Sequence, residues 1–123
     1  MRLLDEMFHV VSHGHTKTVL RMDPGHPIYG LHFPGQPITP GVCIVQMLAE
    51  LLERHTGCQL ELSKIVNLKF LHTLSPNPTS SDFNLITVDF ASLTSDGNTV
   101  HAKGTIGAEG SVATKFSLIF TRK

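Results

Sequence analysis

The chain has 123 residues (13.5 kDa), 41% of them hydrophobic and 16% charged, which is the size of one domain with a modest core and excludes a disordered chain. Ten Lys and Arg balance ten Asp and Glu, and they are scattered rather than clustered, so the basic footprint of a phosphate-backbone binder is missing. Arg2, Asp5 and Glu6 interrupt the first residues and no apolar run approaches membrane-spanning length, so neither a secretory leader nor a membrane span is expected, and a cytoplasmic setting is.

Thr16 to Met22 alternates like a strand and ends on Asp23-Pro24-Gly25, a turn sequence. From Pro24 to Gly41 the chain carries five Pro and four Gly, so a loop without regular structure is expected there. Gly41 to Thr56 has no Pro, ends on Arg54 and His55 and is followed by Gly57, which predicts a helix starting at Thr39 or Pro40, with a left-handed C-terminal glycine. Its polar positions Gln46, Glu50 and Glu53 form one stripe on an otherwise apolar cylinder, so the helix is expected to be central. Ile65 to Leu71, Phe83 to Leu93, Thr99 to Ile106 and Ser111 to Phe120 read as strands. The last three are joined by Ser95-Asp96-Gly97-Asn98 and Glu109-Gly110, both suited to hairpins. One helix packed on an antiparallel sheet, a single α+β domain spanning 1–123, is the expected architecture.

Cys43 and Cys58 fall near opposite ends of the predicted helix, roughly 22 Å apart, so they are expected to be reduced thiols. A helix start can lower a thiol's pKa, but no His lies at a spacing that would pair with Cys43, and a packing role is expected for it. His9, His13 and His15 alternate like strand neighbours with nothing to complete a metal set, and read as a solvated polar face. His26, His55, His72 and His101 are isolated in sequence and read as surface or partner-contact residues.

The segment His32-Phe33-Pro34-Gly35-Gln36-Pro37-Ile38-Thr39-Pro40-Gly41-Val42 runs straight into the helix. It closely resembles the His-Phe-Pro-Gly-x-Pro-x-x-Pro-Gly-Val signature of the β-hydroxyacyl-[acyl-carrier-protein] dehydratases, which adopt the hot-dog fold, a curved antiparallel sheet wrapped around a central helix. Lys69-Phe70-Leu71 and Pro76 extend the similarity more loosely, while residues 32–50 match tightly. The resemblance implies removal of water from a 3-hydroxyacyl thioester, carried on acyl-carrier protein or coenzyme A, at a site shared across a dimer. It implies that His32 takes the proton α to the thioester carbonyl and that an acid early on the helix protonates the departing hydroxyl. Backbone N–H groups around Gly41 and Val42 would stabilise the developing oxyanion, with Phe33 and Pro40 beside them as substrate contacts. No metal or redox cofactor is implied.

The family carries Glu or Asp at the position of Gln46, and an amide cannot deliver a proton. Glu50 lies one turn on, where many members carry Gln, on the same face but about 6 Å further along the axis. Two surroundings are open to Glu50: burial beside Ile44, Met47 and Leu51, favouring the protonated acid that dehydration needs, or an ion pair with Arg54. Three functions follow. The first is a dehydratase using His32 with Glu50 or a Gln46-bound water as proton source. The second is a catalytically impaired hot-dog subunit that binds acyl-carrier protein or pairs with an active dehydratase. The third is an acyl thioesterase, which the motif favours least. A homodimer or an assembly of dimers is expected, because one sheet around one helix leaves an edge strand to cover.

Overall fold

The computed structural model describes residues 2–31, 37–77 and 84–123. Strands β1 (Phe8–His13) and β2 (Lys17–Met22) precede a one-turn helix α1 (Ile28–Leu31) and the long helix α2 (Gly41–Thr56). Then follow β3 (Leu60–Phe70), β4 (Leu85–Asp96), β5 (Thr99–Ala108) and β6 (Ser111–Arg122). The six strands form one antiparallel sheet in the order β1-β2-β4-β5-β6-β3. Its concave face meets α2.

The periodicity of the sequence explains this packing. In β5, Val100, Ala102 and Ile106 are fully buried while their neighbours are not, the period-2 pattern of a sheet with one face on the core. Phe116, Leu118 and Phe120 do the same on β6. Against them α2 buries Cys43, Ile44, Met47, Leu48, Leu51 and Leu52, and each such side chain taken fully from water contributes about 1.5–3 kcal/mol. Gly57 ends α2 at φ 73°, its N–H donating to the Glu53 carbonyl, as the sequence predicts. The hairpins likewise turn at Gly97 (φ 59°) and at Glu109 and Gly110 (φ 53° and 78°).

Three elements differ from the sequence expectation. Strand β1 is additional to it; only Phe8 of its residues is buried, so its pattern carries little apolar alternation. Strand β3 starts at Leu60, five residues before the expected Ile65, and two register irregularities against β6 interrupt its alternation. The Pro- and Gly-rich loop holds one turn of helix, because Tyr29 N–H donates to His26 and Gly30 N–H to Pro27, with Pro27 pre-setting φ for the turn.

β4 carries a bulge between Phe90 and Ser92 where it crosses β5. A Cβ on Gly104 would stand 2.0 Å from the Asp89 carbonyl oxygen and 3.0 Å from the Phe116 ring, which itself packs edge-on against Phe90 at 5.8 Å. Only glycine lets the strands come this close. Among the described residues no helix is long and apolar enough to cross a membrane. Gly104→Ala should lower stability by about 2–4 kcal/mol, measured by urea unfolding; a loss under about 0.5 kcal/mol would contradict this reading of the bulge.

Candidate active-site groove

The start of α2 is fixed from three directions. Thr39, buried, donates its backbone N–H to the Leu74 carbonyl at 2.8 Å. Its hydroxyl donates to Met22 Sδ at 3.7 Å and lies 2.9 Å from the Tyr29 hydroxyl. Burial pushes the Tyr29 phenol up to about 12, so it stays protonated and donates to Thr39. The Pro40 carbonyl accepts from the Cys43 and Ile44 amides, leaving Gly41 and Val42 as the leading donors of the helix, outside its internal ladder. The Phe70 ring lies against Gly41, where a Cβ would come within 3.0 Å of it. Glycine lets the Phe70 ring rest this close; a larger residue would push the ring aside by a few tenths of an ångström.

Between α2 and β3 runs a groove of about 820 Å³, lined by Gly41, Val42, Val45, Gln46 and Ala49 on the helix side and by Leu62, Ile65, Leu68 and Phe70 on the strand side. Its middle is apolar, with Gln46 as the polar group nearest the helix start and Glu53, Gln59, Glu61 and Lys123 at the far end, which suits a ligand with an apolar middle and polar groups toward its ends. Among the expected site residues, Gly41, Val42 and Gln46 share this groove, and Pro40 caps the helix beside it. His32 and Phe33 lie outside the described residues. Phe70 and the Tyr29–Thr39 pair are additional to the sequence expectation; the Lys69-Phe70 similarity was the signal for the first, and nothing in the spacing pointed to the second.

Glu50 is buried on α2 with Ile44, Met47 and Leu51, the first of the two surroundings the sequence left open, but backbone donors meet it there. Only 6% exposed, it accepts the Leu3 N–H on both carboxylate oxygens and the Leu4 N–H on Oε1, all at 2.9 Å. Gln46 Nε2 donates to its other oxygen, Oε2, at 3.1 Å. Arg54, the expected partner of Glu50, pairs instead with Asp5. Of the polar stripe of α2, Glu50 is thus covered by the N-terminal segment, in which Leu3, Leu4, Met7 and Phe8 are all fully buried. Glu50 borders a separate recess with Arg2, Arg54 and Gln59 rather than the groove.

The Cys43 thiol is buried and burial pushes its pKa up, against the helix-start effect, which makes it an inert packing residue. His9 meets Asp23 at 3.2 Å and His13 meets the Thr18 hydroxyl at 3.0 Å, while His13 and His15 are exposed, as a solvated face requires. His26 accepts from the Ile28 N–H and His101 lies 2.8 Å from the Ser117 hydroxyl, so these two are tied into the fold.

A six-stranded antiparallel sheet curved around one helix, with a groove along that helix, defines a hot-dog protein. The ApeI-like family, described as ApeI dehydratase, matches residues 9–95, and the chain belongs to that family. Among solved structures it resembles a chain of the dehydratase heterocomplex ApeI:P from Xenorhabdus doucetiae, at 17% identity over 93% of this chain and 95% of that one, with a TM-score of 0.61. It also resembles a thioesterase from Haemophilus influenzae, at 15% identity over 96% of this chain and 80% of that one, with a TM-score of 0.60. A protein from Erwinia carotovora subsp. atroseptica aligns at 17% identity over 94% and 92% of the two chains, with a TM-score of 0.55. At these identities the likeness shows the fold. No curated protein matches the chain.

Glu50→Gln would keep one acceptor oxygen for the Leu3 and Leu4 N–H groups but remove the charge and turn an amide donor toward Gln46 Nε2. It should cost about 1.5–3 kcal/mol in urea unfolding at neutral pH, the loss of hydrogen bonds to a charged acceptor. A change below about 0.5 kcal/mol would show that the carboxylate does not hold the N-terminal segment.

Proposed function

We propose that this chain is a dehydratase-family subunit that binds 3-hydroxyacyl thioesters, on acyl-carrier protein or coenzyme A, in the groove between α2 and β3. His32 is the base that takes the α proton, and the Gly41 and Val42 amides face the thioester oxygen as it gains charge. On the motif resemblance, Phe33 and Pro40 are further substrate contacts. The acid that protonates the leaving hydroxyl is not supplied by this chain's own helix: Gln46 occupies that place. The observation that carries this reading is the position of Glu50, whose two oxygens already accept from Leu3, Leu4 and Gln46 and which does not border the groove. The acid then comes from an unlike partner subunit. That the similar Xenorhabdus protein is a dehydratase heterocomplex supports an arrangement of unlike subunits.

Pairing, with a second copy or with the unlike subunit, has a surface to use. β3 is an edge strand of the sheet, and Ile65, Val66 and Phe70 on it, with Leu71 just after it, are each about half exposed. An edge of this kind is covered in a working protein. Free Cys43 and Cys58 suit a reducing, cytoplasmic setting.

Gln46→Glu supplies the decisive test. Its new carboxyl would lie about as close to Glu50 as Gln46 does now, and two carboxyls in contact do not both ionise at neutral pH, so one of them holds a proton for the leaving hydroxyl. With a 3-hydroxyacyl thioester, the wild-type chain alone should form no 2-enoyl thioester above background. Gln46→Glu should gain at least about a hundredfold, within the range of general acid catalysis, and His32→Ala in the Gln46→Glu background should abolish the gain. Turnover by the wild type that Glu50→Gln removes would instead mean that the acid has moved one turn along α2. Release of free thiol without enoyl product would mean hydrolysis.

A further inference from the structure

On the side of α2 away from the groove there is a second cavity, of about 330 Å³, enclosed by the β1–β2 turn, the bulge of β4 and the last turns of α2. It exists because the sheet opens here. β2 and β4 pair as far as Lys17 and Asp89. β4 then bulges between Phe90 and Ser92, with the Phe90 N–H donating to the Thr16 carbonyl at 2.9 Å, and α2 lies across the gap. Bulges of this kind recur beside binding sites.

The floor is apolar, built on Leu51, Phe90 and Leu93. Around the mouth stand His13, His15 and His55, three of the chain's eight histidines, brought from β1, from the turn after it and from the last turn of α2. The Thr16 and Ser92 hydroxyls lie among them. The His13 ring is oriented by the hydrogen bond of Nδ1 to the Thr18 hydroxyl at 3.0 Å, which turns Nε2 away from Thr18.

None of the lining residues is Asp, Glu, Lys or Arg, so the ionisable side chains that line the cavity are the three histidines. Lys17 and Asp89, which flank it on β2 and β4, are paired with each other at 3.9 Å. The end of α2 is capped, its Leu52 and Glu53 carbonyls accepting from the Thr56 hydroxyl and the Gly57 N–H. It therefore does not turn those carbonyls on a ligand. An ammonium would meet no counter-charge here, whereas an anion would meet imidazole N–H and hydroxyl donors. Among the described residues no group of three His, Cys, Asp or Glu is disposed to hold a metal ion, which leaves hydrogen bonding rather than coordination as the use of these imidazoles.

We propose that this cavity binds a small monocarboxylate with a short apolar tail, the carboxylate among His13, His15 and His55 and the tail on Leu51, Phe90 and Leu93. Its volume lies at the lower end of ligand pockets, about 300–1,000 Å³, which excludes a long acyl chain. The site is separate from the α2–β3 groove and does not depend on the reaction proposed for it.

Hexanoate, hexan-1-ol and hexylamine titrated into the full chain, followed by NMR, would test this. The reporters are the imidazole signals of the three histidines and the methyls of Leu51 and Leu93, with the methyls of Leu62 and Ile65 reporting on the groove. Hexanoate should shift the cavity signals saturably; hexan-1-ol should bind about tenfold more weakly, and hexylamine should not bind, because carboxylate hydrogen bonds are the difference. The double variant His13→Ala/His15→Ala, at two exposed positions, should weaken hexanoate about tenfold while the groove methyl signals keep their wild-type positions. Cavity signals that do not move up to about 10 mM, that respond equally to the alcohol or the amine, or that respond unchanged in the double variant would overturn the proposal. So would shifts confined to the groove methyls.

Discussion

A carboxylate taken out of water must be met by donors, and Glu50 is met by the Leu3 and Leu4 amides and the Gln46 side chain. This interaction joins the first residues of the chain to the middle of α2, across 47 positions of sequence. Both sides depend on it. Leu3 and Leu4 have N–H groups that would otherwise be buried without an acceptor, at a cost of about 1–3 kcal/mol each. Glu50 would otherwise be an unmatched charge in the core. Once joined, the segment lays Leu3, Leu4, Met7 and Phe8 over the helix and leads into β1, the first strand of the sheet.

The same interaction decides what α2 offers the groove. Glu50 holds one end of Gln46, at 3.1 Å, while Gln46 lines the groove. The two residues that trade places relative to the dehydratase motif are thus in direct contact, and the exchange divides their tasks: the carboxylate serves the fold and the amide serves the groove. The helix start remains as the motif demands, with Gly41 pressed by Phe70 and Thr39 clamped between Tyr29, Met22 and Leu74. On the proposed function the scaffold that binds and orients a thioester is kept, and the proton donor is what the chain leaves to a partner.

The sequence was most legible where local chemistry decides the structure. Gly41 to Thr56 is helical over the predicted span and ends at Gly57, because capping and apolar spacing act within one element. The two closing hairpins were equally readable from Gly97 and Gly110. β1 was not, since Val10 and Val11 are both exposed and break any apolar alternation, and the strand is held by pairing with β2. The single turn at Ile28–Leu31 escaped for the opposite reason, Pro27 serving to start a turn where proline density suggested only loop. At the candidate site, Gly41, Val42 and Gln46 of the expected residues line one groove, but the fate of Glu50 was hidden. Its partners are backbone amides of Leu3 and Leu4, and no side-chain pattern records which backbone a carboxylate will meet; the i+4 neighbour Arg54 pointed to a pair that Asp5 takes instead.

The exchange of the Leu3 and Leu4 amide hydrogens with solvent tests the central claim most directly. If Glu50 holds them, both exchange about as slowly as the amides in the middle of α2, opening only with the whole domain. In Glu50→Gln they then exchange at least about a hundredfold faster, while the α2 amides change only as far as overall stability does. Rapid exchange of Leu3 and Leu4 in the wild-type chain would contradict the account: Glu50 would then be unclaimed by the N-terminal segment and free to act as an acid.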